Sequence, residues 1–483
     1  MSDLSRCYDV AVIGAGIIGT LAARELSRYH LRVALVERLH DVSQGTTKAN
    51  SAIVHAGYDA EPGTAKAKFN LRGCAMMEGL CETLHVPYRR NGSLVLAFTP
   101  EECITLGELY IRGVANGVPD LRILNNDILR TVEPKVNPEC PGALYAPTAG
   151  IVSPYELAIA AAECAVSNGV ELYRDFTVSR IDRDENFILH AEDGRSIQSK
   201  IIINAAGVHA DVIARMVGDD SFGITPCKGE YVLLDSTQGG IVDATVFQCP
   251  SRMGKGVLIT PTVHGNILIG PSAEDVEEKD DFATTDPGLW GIREVVLRSV
   301  PGYIIRDIIT SFAGVRARSD RNDFILEHSA VDRRFIHAAG IESPGLTAAP
   351  AIAEHLAELV REALDGDMPL KENWNPGRDK PVRVKELDKE EYRNLVMKNP
   401  AYGRIVCRCE TVSEGEIIDA IHAPAGARDI DGVKRRTRSG MGRCQGGFCG
   451  TKVLEILSRE LGVPKTEITK RGGDSKILLE KTK

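Results

Sequence analysis

The stretch from Tyr8 to Glu37 constrains the fold more than any other part of the chain. A short apolar run, Val10 to Ile13, leads directly into the glycine-rich turn Gly14-Ala-Gly-Ile-Ile-Gly19. Apolar residues then recur at helical spacing, and a second apolar run, Val33 to Val36, ends at an acid. This order of strand, glycine turn, helix, strand and acid predicts a βαβ unit that binds a dinucleotide.

The residues of this unit have separate predicted roles. The first glycine permits the tight turn, the second lets a pyrophosphate approach the helix N-terminus, and the third lets the helix pack against the strand. The acid at the end of the second strand is placed to accept hydrogen bonds from an adenosine ribose. The residues expected to contact the nucleotide here are Gly14, Gly16, Ile18, Gly19, Glu37 and Arg38.

Length and composition describe an ordinary globular protein of two to four domains. The 483 residues are 43% hydrophobic and 26% charged, and the net charge of −9 argues against a general attraction to nucleic acid. No stretch has the pattern of a signal peptide, and no apolar run approaches the length that spans a bilayer. We therefore expect a cytoplasmic protein, and peripheral contact with the inner face of a membrane stays open.

The choice between FAD and NAD depends on what the rest of the chain contains. Only one G-x-G-x-x-G is present, and neither a second nucleotide fold nor a redox Cys-x-x-Cys follows it. A buried strand, Lys200 to Asn204, ends in small residues, and a late strand, Phe335 to Ala339, leads into the turn Gly340-Ile-Glu-Ser-Pro-Gly345. This motif order, over residues 8–365, resembles the D-amino-acid-oxidase (DAO) class of FAD oxidoreductases.

The resemblance implies an FAD that lies extended between the first glycine turn and the start of a late helix. Its further contacts are then expected from a polar turn after the second strand, from the ends of later strands and from the late turn. These residues are Thr46, Thr47, Asn50, Ser51, Val178, Ala206, Gly207, Gly314, Gly340, Ile341, Gly345, Leu346 and Thr347.

The predicted fold class is α/β, with a Rossmann-like FAD-binding domain, an inserted antiparallel substrate domain and a small helical C-terminal domain. The oxidoreductase spans residues 1–365. Its FAD-binding parts are 1–85, 146–220 and 311–365, and its substrate-domain parts are 86–145 and 221–310. A linker at 366–400, a cysteine-containing domain at 401–465 and a tail at 466–483 follow. The acidic stretch Glu274 to Asp281 is predicted to be a solvated loop.

Four motifs indicate the substrate class. The segments Asn50-Ser-Ala-Ile-Val-His-Ala-Gly-Tyr58, Pro62-Gly-Thr-Ala-Lys-Ala67, Lys228-Gly-Glu-Tyr231 and Gly314-Val-Arg-Ala317 are similar to those of glycerol-3-phosphate and L-2-hydroxyglutarate dehydrogenases. The similarity implies oxidation of a small anionic secondary alcohol. sn-Glycerol 3-phosphate is the first expectation, a 2-hydroxy acid is the second, and an amino acid or opine stays open.

Three side chains are candidates for catalysis. His55 is the predicted base or polar partner near the flavin, although a structural histidine is an equal alternative. Arg316 is the predicted anion anchor, because a guanidinium can hold a carboxylate or phosphate at two points. Lys228 is a weaker candidate whose alternative is a surface salt bridge.

The last four cysteines form a separate motif. Cys407-Arg-Cys409 and Cys444-Gln-Gly-Gly-Phe-Cys449 combine C-x-C with C-x4-C, a set that can hold a [2Fe–2S] cluster. Zinc is the alternative, but its common spacing has two to four residues between paired cysteines, and a disulfide fits a reducing compartment poorly. The segment is similar to the [2Fe–2S] domain of bacterioferritin-associated ferredoxin, which implies that all four cysteines are iron ligands.

A basic run accompanies these cysteines. It consists of Lys434, Arg435, Arg436, Arg438 and Arg443. Its predicted roles are docking of an acidic partner or compensation of cluster charge, and a solvated turn is the alternative.

The absence of an NADH motif predicts a separate electron acceptor. A partner flavoprotein subunit or a quinone would fill this role, within an oligomer. The competing hypothesis is a non-catalytic electron-transfer or assembly subunit that keeps FAD for structure only.

Overall fold

The computed structural model describes residues 7–250, 256–303, 305–364, 366 and 368–480. The strands are β1 (Cys7–Ile13), β2 (Val33–Val36), β3 (Ile53–Val54), β4 (Tyr88–Arg89), β5 (Ser93–Ala97), β6 (Arg122–Asn125), β7 (Gly142–Ala146), β8 (Gly150–Val152), β9 (Glu171–Tyr173), β10 (Val178–Arg183), β11 (Phe187–Ala191), β12 (Ser196–Asn204), β13 (Ile224–Leu234), β14 (Thr245–Gln248), β15 (Leu258–Pro261), β16 (Ile267–Gly270), β17 (Glu274–Asp275), β18 (Ile308–Ser319), β19 (Ile325–His328), β20 (Phe335–Ala339), β21 (Ile405–Cys407) and β22 (Val412–Ser413). The α-helices are α1 (Ile17–Leu26), α2 (Ala65–Thr83), α3 (Pro100–Ala115), α4 (Asn126–Val132), α5 (Pro154–Ser167), α6 (Ala210–Arg215), α7 (Asp286–Ser299), α8 (Gly345–Leu364), α9 (Lys389–Lys398), α10 (Glu414–His422), α11 (Ile430–Thr437) and α12 (Gly450–Leu461).

A mixed eight-stranded sheet forms the nucleotide-binding part of the molecule. Strands β20, β12, β1, β2 and β9 run parallel in that spatial order. The hairpin β10–β11 extends the sheet antiparallel to the first half of β12, and β19 pairs antiparallel with β20. All residues of β2 and β20 are buried, as expected for parallel strands that are covered on both faces.

Helices cover one face of this sheet. Helix α1 packs against α5 and α8, and α8 packs against α2. Helix α5 is rich in alanine, and its small side chains let the neighbouring helix approach closely. Helix α2 begins at the cap Thr64, whose hydroxyl accepts a hydrogen bond from the Ala67 N–H. These helices hold the first glycine turn and the late turn before α8 on the same edge of the sheet.

A nine-stranded sheet forms the substrate domain. Strands β13 and β18 pair antiparallel along their whole lengths, and β16, β15, β14, β5, β7 and β6 continue the sheet from β13. Every pair is antiparallel except β5 with β14. Because β18 begins at Ile308 and ends at Ser319, it crosses position 310, where the sequence places a domain boundary.

The C-terminal part is a small helical domain that packs on the rest of the molecule. Helices α10, α11 and α12 enclose a core that contains Ile417, Val433, Leu457 and Ile468. The preceding segment returns to the first domain, where the Trp374 indole N–H donates to the Ser27 hydroxyl at 3.0 Å. None of the helices in the described part of the chain is long and apolar enough to cross a membrane.

Candidate active site and cysteine centre

An open cavity of about 610 Å³ lies between the two sheets and collects most of the predicted site residues. Those that line it are Gly14, Gly16, Ile18, Glu37, Arg38, Thr46, Thr47, Asn50, Ser51, His55, Val178, Ala206, Gly207, Gly314, Arg316, Ile341, Gly345 and Leu346. Gly19, Lys228, Gly340 and Thr347 are not part of its wall. The cavity runs from the end of β2, past the first glycine turn, to the start of α8, which is the extended path expected for FAD.

The first glycine turn lies so close to neighbouring backbone that larger residues are excluded. Gly14 has a φ of 103°, and a Cβ atom there would lie 2.4 Å from the Ala205 carbonyl oxygen at the end of β12. A Cβ atom on Gly19 would lie 1.8 Å from the carbonyl oxygen of Gly14. Gly19 therefore serves the turn by close packing rather than by facing the cavity.

Glu37 is held in place by the backbone around it. Its carboxylate accepts hydrogen bonds from the N–H groups of Ala15 at 2.8 Å and Leu39 at 2.9 Å. Burial raises the pKa of this carboxyl group, and the two backbone donors oppose that effect. The side chain thus stands fixed at the end of β2, where a ribose would meet it.

The polar turn after β2 is tied to both domains. The Ile17 N–H donates to the Thr47 hydroxyl at 2.9 Å, and the Asn50 amide donates to the Thr47 carbonyl at 2.9 Å. From the other side, a Cβ atom on Gly314 of β18 would lie 1.9 Å from the Ala49 carbonyl oxygen. This close approach brings the substrate domain against the turn that faces the middle of the cavity.

His55 lies at the far end of the cavity, near the start of α8. Its backbone N–H donates to the Thr347 hydroxyl at 2.9 Å, so Thr347 acts on the site through His55. Its Nε2 lies 3.4 Å from the Ser343 hydroxyl, and its ring centroid lies 5.9 Å from that of Phe247. The imidazole is thereby oriented by the late turn and by the substrate domain together.

Arg316 of β18 lines the same cavity as His55. Its guanidinium donates to the Ser272 carbonyl at 2.7 Å, and within the described chain no carboxylate lies within ion-pair distance of it. A Cβ atom on Gly229 would lie 2.5 Å from Arg316 Nη2, so the glycine leaves space for the side chain. A cation without an acidic partner in a cavity wall is suited to binding an anion.

Lys228 has a different environment. Its side chain is 5% exposed, and its ammonium pairs with the Asp281 carboxylate at 2.7 Å. This pairing raises the lysine pKa. The structure therefore places the third catalytic candidate in an ion pair outside the cavity wall, apart from His55 and Arg316.

Several residues of the cavity wall were absent from the sequence-based selection. Tyr231 lines the wall, stacks on Phe312 at 5.0 Å between centroids, and its hydroxyl lies 3.2 Å from that of Ser51. Burial raises its pKa. Ser343 also lines the wall. Both belong to segments that the sequence marked, Lys228-Gly-Glu-Tyr231 and the late glycine turn, so only the individual side chains were missed.

The four C-terminal cysteines form two pairs. The Cys409 and Cys444 sulfurs lie 3.6 Å apart, and the thiols of Cys407 and Cys449 share a hydrogen bond. That hydrogen bond is the main reason why the pKa of Cys407 falls to about 5, while it raises the pKa of Cys449. Cys407 and Cys449 are buried, whereas Cys409 is exposed.

The paired arrangement supplies the ligands that a [2Fe–2S] cluster needs. In a [2Fe–2S] cluster each iron takes two of the four thiolates. The four thiols form two such pairs, and the two pairs lie close enough to interact electrostatically.

The basic run has a role that the sequence did not indicate. Arg435 and Arg436 of α11 both pair with Asp41, which follows β2, at 2.5 and 2.8 Å. Arg438 pairs at 2.8 Å with Glu410, the residue after Cys409. Arg443 is the one exposed member of the run, with 66% of its side chain exposed. Arg435 and Arg436 therefore attach the cysteine domain to the first domain, and Arg438 forms an ion pair within the cysteine domain.

Comparison with known proteins agrees with both parts of this description. The model of the FAD dependent oxidoreductase family matches residues 9–359, and that of the BFD-like [2Fe-2S] binding domain matches residues 405–459. Glycerol 3-phosphate dehydrogenase of Caloramator mitchellensis is 50% identical over 476 residues, 99% of each chain. Mitochondrial L-2-hydroxyglutarate dehydrogenase of Mus musculus is 27% identical, over 72% of this chain and 88% of its own.

A solved structure shares the fold of a large part of the chain. L-alpha-glycerophosphate oxidase from Mycoplasma pneumoniae, with FAD bound, has a TM-score of 0.74 and 32% identity, covering 78% of this chain and 100% of its own. The chain therefore belongs to the family of FAD-dependent oxidoreductases. Within that family it is a homologue of glycerol-3-phosphate dehydrogenase, and its cofactors are FAD and a [2Fe–2S] cluster.

Proposed function

We propose that the protein oxidises sn-glycerol 3-phosphate at its secondary alcohol to give dihydroxyacetone phosphate. The observation that carries this proposal is the Arg316 guanidinium, which lines the same cavity as His55 and has no carboxylate within ion-pair distance in the described chain. The 50% identity to a glycerol 3-phosphate dehydrogenase over nearly the full length supports the choice of substrate.

Arg316 holds the phosphate of the substrate. A guanidinium binds two phosphate oxygens at once, so it fixes both the position and the direction of the bound molecule. Its hydrogen bond to the Ser272 carbonyl restrains the side chain before the substrate arrives. This restraint lowers the entropy that is lost when the complex forms.

His55 receives the proton of the substrate hydroxyl. The imidazole is placed by its backbone hydrogen bond to Thr347 and by the Ser343 hydroxyl near Nε2. Oxidation removes one hydride from carbon and one proton from oxygen, which leaves a ketone. FAD, when bound, supplies the acceptor for the hydride.

The cysteine domain gives the electrons an exit. Cys407, Cys409, Cys444 and Cys449 hold the cluster, and Cys409 lies on the surface, where a second molecule can come close. We infer that the acceptor is separate and takes the electrons one at a time, and that it is either a partner flavoprotein subunit or a quinone at a membrane surface. A cytoplasmic location and an oligomeric state remain predictions of the same kind.

Anaerobic titration of the holoenzyme tests the substrate. sn-Glycerol 3-phosphate should bleach the flavin absorbance, and L-2-hydroxyglutarate should do so at least tenfold more slowly at equal concentration, roughly the discrimination expected between differently shaped anions. Preferential reduction by the 2-hydroxy acid would refute the proposal. It would favour the second candidate function, which the L-2-hydroxyglutarate dehydrogenase relative and the affinity of arginine for carboxylates support.

A second measurement separates an enzyme from a non-catalytic subunit. The isolated chain should reduce an artificial dye with sn-glycerol 3-phosphate as the electron donor. Failure of a panel of small alcohols and amines to reduce the flavin would indicate that FAD has only a structural role.

A further inference from the structure

The acidic stretch that the sequence places in a solvated loop is largely exposed, and it belongs to a segment whose two ends line the FAD cavity. We call residues 271–283, between β16 and α7, the strap. Pro271, Ser272 and Ala273 at its beginning and Phe282 near its end line the cavity. The strap begins where Ser272 accepts the hydrogen bond from Arg316.

Two ion pairs with buried partners anchor the strap. Asp281 pairs with Lys228, whose side chain is 5% exposed, and Lys279 pairs with Asp211, whose side chain is 4% exposed. The Lys279 ammonium also donates to the Val208 carbonyl at 2.7 Å. Buried charges of this kind are strongly destabilised without their partners, so these contacts fix the strap's course.

The residue between the two anchors reaches the ribose end of the cavity. Asp280 forms two hydrogen bonds with the Arg38 guanidinium, at 2.6 and 3.1 Å, and lies 3.3 Å from His209 Nε2. Arg38 and His209 both line the cavity, whereas Asp280 does not. The strap therefore connects the neighbourhood of the substrate anchor with the residue that follows Glu37.

We propose that the strap is a clasp that retains FAD, and that the Asp280–Arg38 pair is its latch. In this proposal, release of FAD requires the segment beside the ribose end to move, and that movement separates the bidentate pair. The inference concerns cofactor retention and does not depend on which substrate is oxidised.

The opposite effect is expected if Arg38 instead binds FAD directly. In that case Asp280 competes with the cofactor for the guanidinium, so removal of the aspartate charge would strengthen FAD binding. The sign of the effect of one substitution thus separates a latch from a competitor.

The test compares two charge-neutralising variants of the strap in the FAD-loaded protein. Asp280→Asn breaks the latch, and Glu277→Gln is the control, because Glu277 is exposed and forms no ion pair within the described chain. Released FAD is followed by the rise in flavin fluorescence after dilution. Asp280→Asn should release FAD about fivefold faster than wild type, and Glu277→Gln at the wild-type rate.

Two further measurements complete the test. Asp280→Glu keeps the charge and should restore slow release, and about 0.5 M salt should remove most of the difference between wild type and Asp280→Asn. Equal release from wild type and Asp280→Asn, slower release from Asp280→Asn, or the same acceleration in Glu277→Gln would each overturn the proposal. These readouts need no turnover, so they are independent of the proposed activity.

Discussion

Arg316 and Lys228 show how strongly neighbours decide the role of a basic residue. Both were candidates for holding an anion, and their strands pair along their whole lengths. Lys228 meets Asp281, whereas Arg316 lies over Gly229 and keeps its guanidinium directed at the cavity. The Asp281 carboxylate neutralises Lys228, so only Arg316 remains available to bind an anionic ligand.

The first prediction concerns the substitution Arg316→Gln. Loss of a charged hydrogen-bond donor to the phosphate removes about 1.5–3 kcal/mol of binding, so KM for sn-glycerol 3-phosphate should rise roughly 10- to 100-fold. We expect kcat to change less, because the anchor holds ground state and transition state alike. Steady-state kinetics measure both constants.

Arg321→Gln is the matched control for this prediction. Arg321 is exposed on the turn after β18 and pairs with Glu327. The KM of the Arg321→Gln variant should match that of the wild type. A KM that does not change in Arg316→Gln would show that the phosphate is held elsewhere.

At the scale of elements, β18 is positioned by its contact with the turn after β2. Gly314 allows this contact because any side chain at that position would overlap the Ala49 carbonyl. The overlap is with backbone, which cannot rotate away as a side chain can. The strand and the turn therefore determine together the width of the middle of the cavity.

The second prediction is that Gly314→Ala loses FAD. The added methyl group forces β18 and the turn apart at a cost of about 1–3 kcal/mol. The flavin-to-protein absorbance ratio after purification should fall well below that of the wild type. Gly79→Ala is the control, because a Cβ atom added at Gly79 would meet no other atom within 4 Å and α2 gains helix propensity. Full FAD content in Gly314→Ala would contradict the role of this contact.

Helix α11 is attached to the first domain through Asp41. The carboxylate is fully buried between Arg435 and Arg436. Although burial alone would raise it, these two charges hold the pKa of Asp41 well below its ordinary value of 3.8. A depressed carboxyl pKa stabilises the fold above the unfolded value, and this contribution is lost as pH falls through the folded value. The attachment should therefore not depend on pH between about 5 and 8.

The third prediction is that Asp41→Asn destabilises the protein by about 3–5 kcal/mol, because two buried guanidinium groups lose their charge partner. Denaturant unfolding monitored at neutral pH measures this change. The control is Asp9→Asn, which breaks an exposed pair with Lys200 and should cost no more than about 1 kcal/mol. Equal stabilities of the two variants would mean that Asp41 does not carry the attachment.

At the scale of the whole molecule, the two redox centres belong to separate domains that one chain holds together. The oxidoreductase part accounts for residues 9–359 and the cysteine domain for residues 405–459. The Asp41 contact joins the loop that follows β2 to α11, the helix that precedes Cys444 and Cys449. The attachment therefore links the wall of the FAD cavity to the centre through which we infer that electrons leave.

The fourth prediction separates the two half-reactions. Cys444→Ser should lose the iron and the cluster absorbance, since each iron needs two thiolates. sn-Glycerol 3-phosphate should still reduce the flavin at the wild-type rate, while turnover with a one-electron protein acceptor falls at least tenfold, roughly the loss expected of an interrupted relay.

Cys103→Ser provides the comparison for this prediction. Cys103 is exposed and belongs to α3, so its loss should leave iron content and turnover unchanged. Stoichiometric zinc in the wild-type protein, or full turnover of Cys444→Ser with the protein acceptor, would contradict the proposed electron route.

The nucleotide-binding unit and the cysteine domain could be predicted from sequence because their signals are local. The glycine turn places strand, helix and acid within about thirty positions, and each cysteine pair of the motif is separated by four residues or fewer. Such spacings impose geometry directly through the backbone. The dinucleotide turn and the four cysteine ligands followed from them, whereas the family and the choice of FAD followed from the resemblance in motif order over residues 8–365. The comparisons agree with both.

The pairing of charges was decided only by the tertiary structure. Asp41 and Arg435 are 394 positions apart, and Arg38 and Asp280 are separated by 242. The sequence shows a basic run and an acidic stretch as if both faced solvent, because an ion pair leaves no periodic or local pattern. Most of the acidic stretch is indeed exposed. Folding nevertheless brings distant charges together, so that the basic run attaches the cysteine domain through Asp41, while Asp280 and Asp281 pair with Arg38 and Lys228.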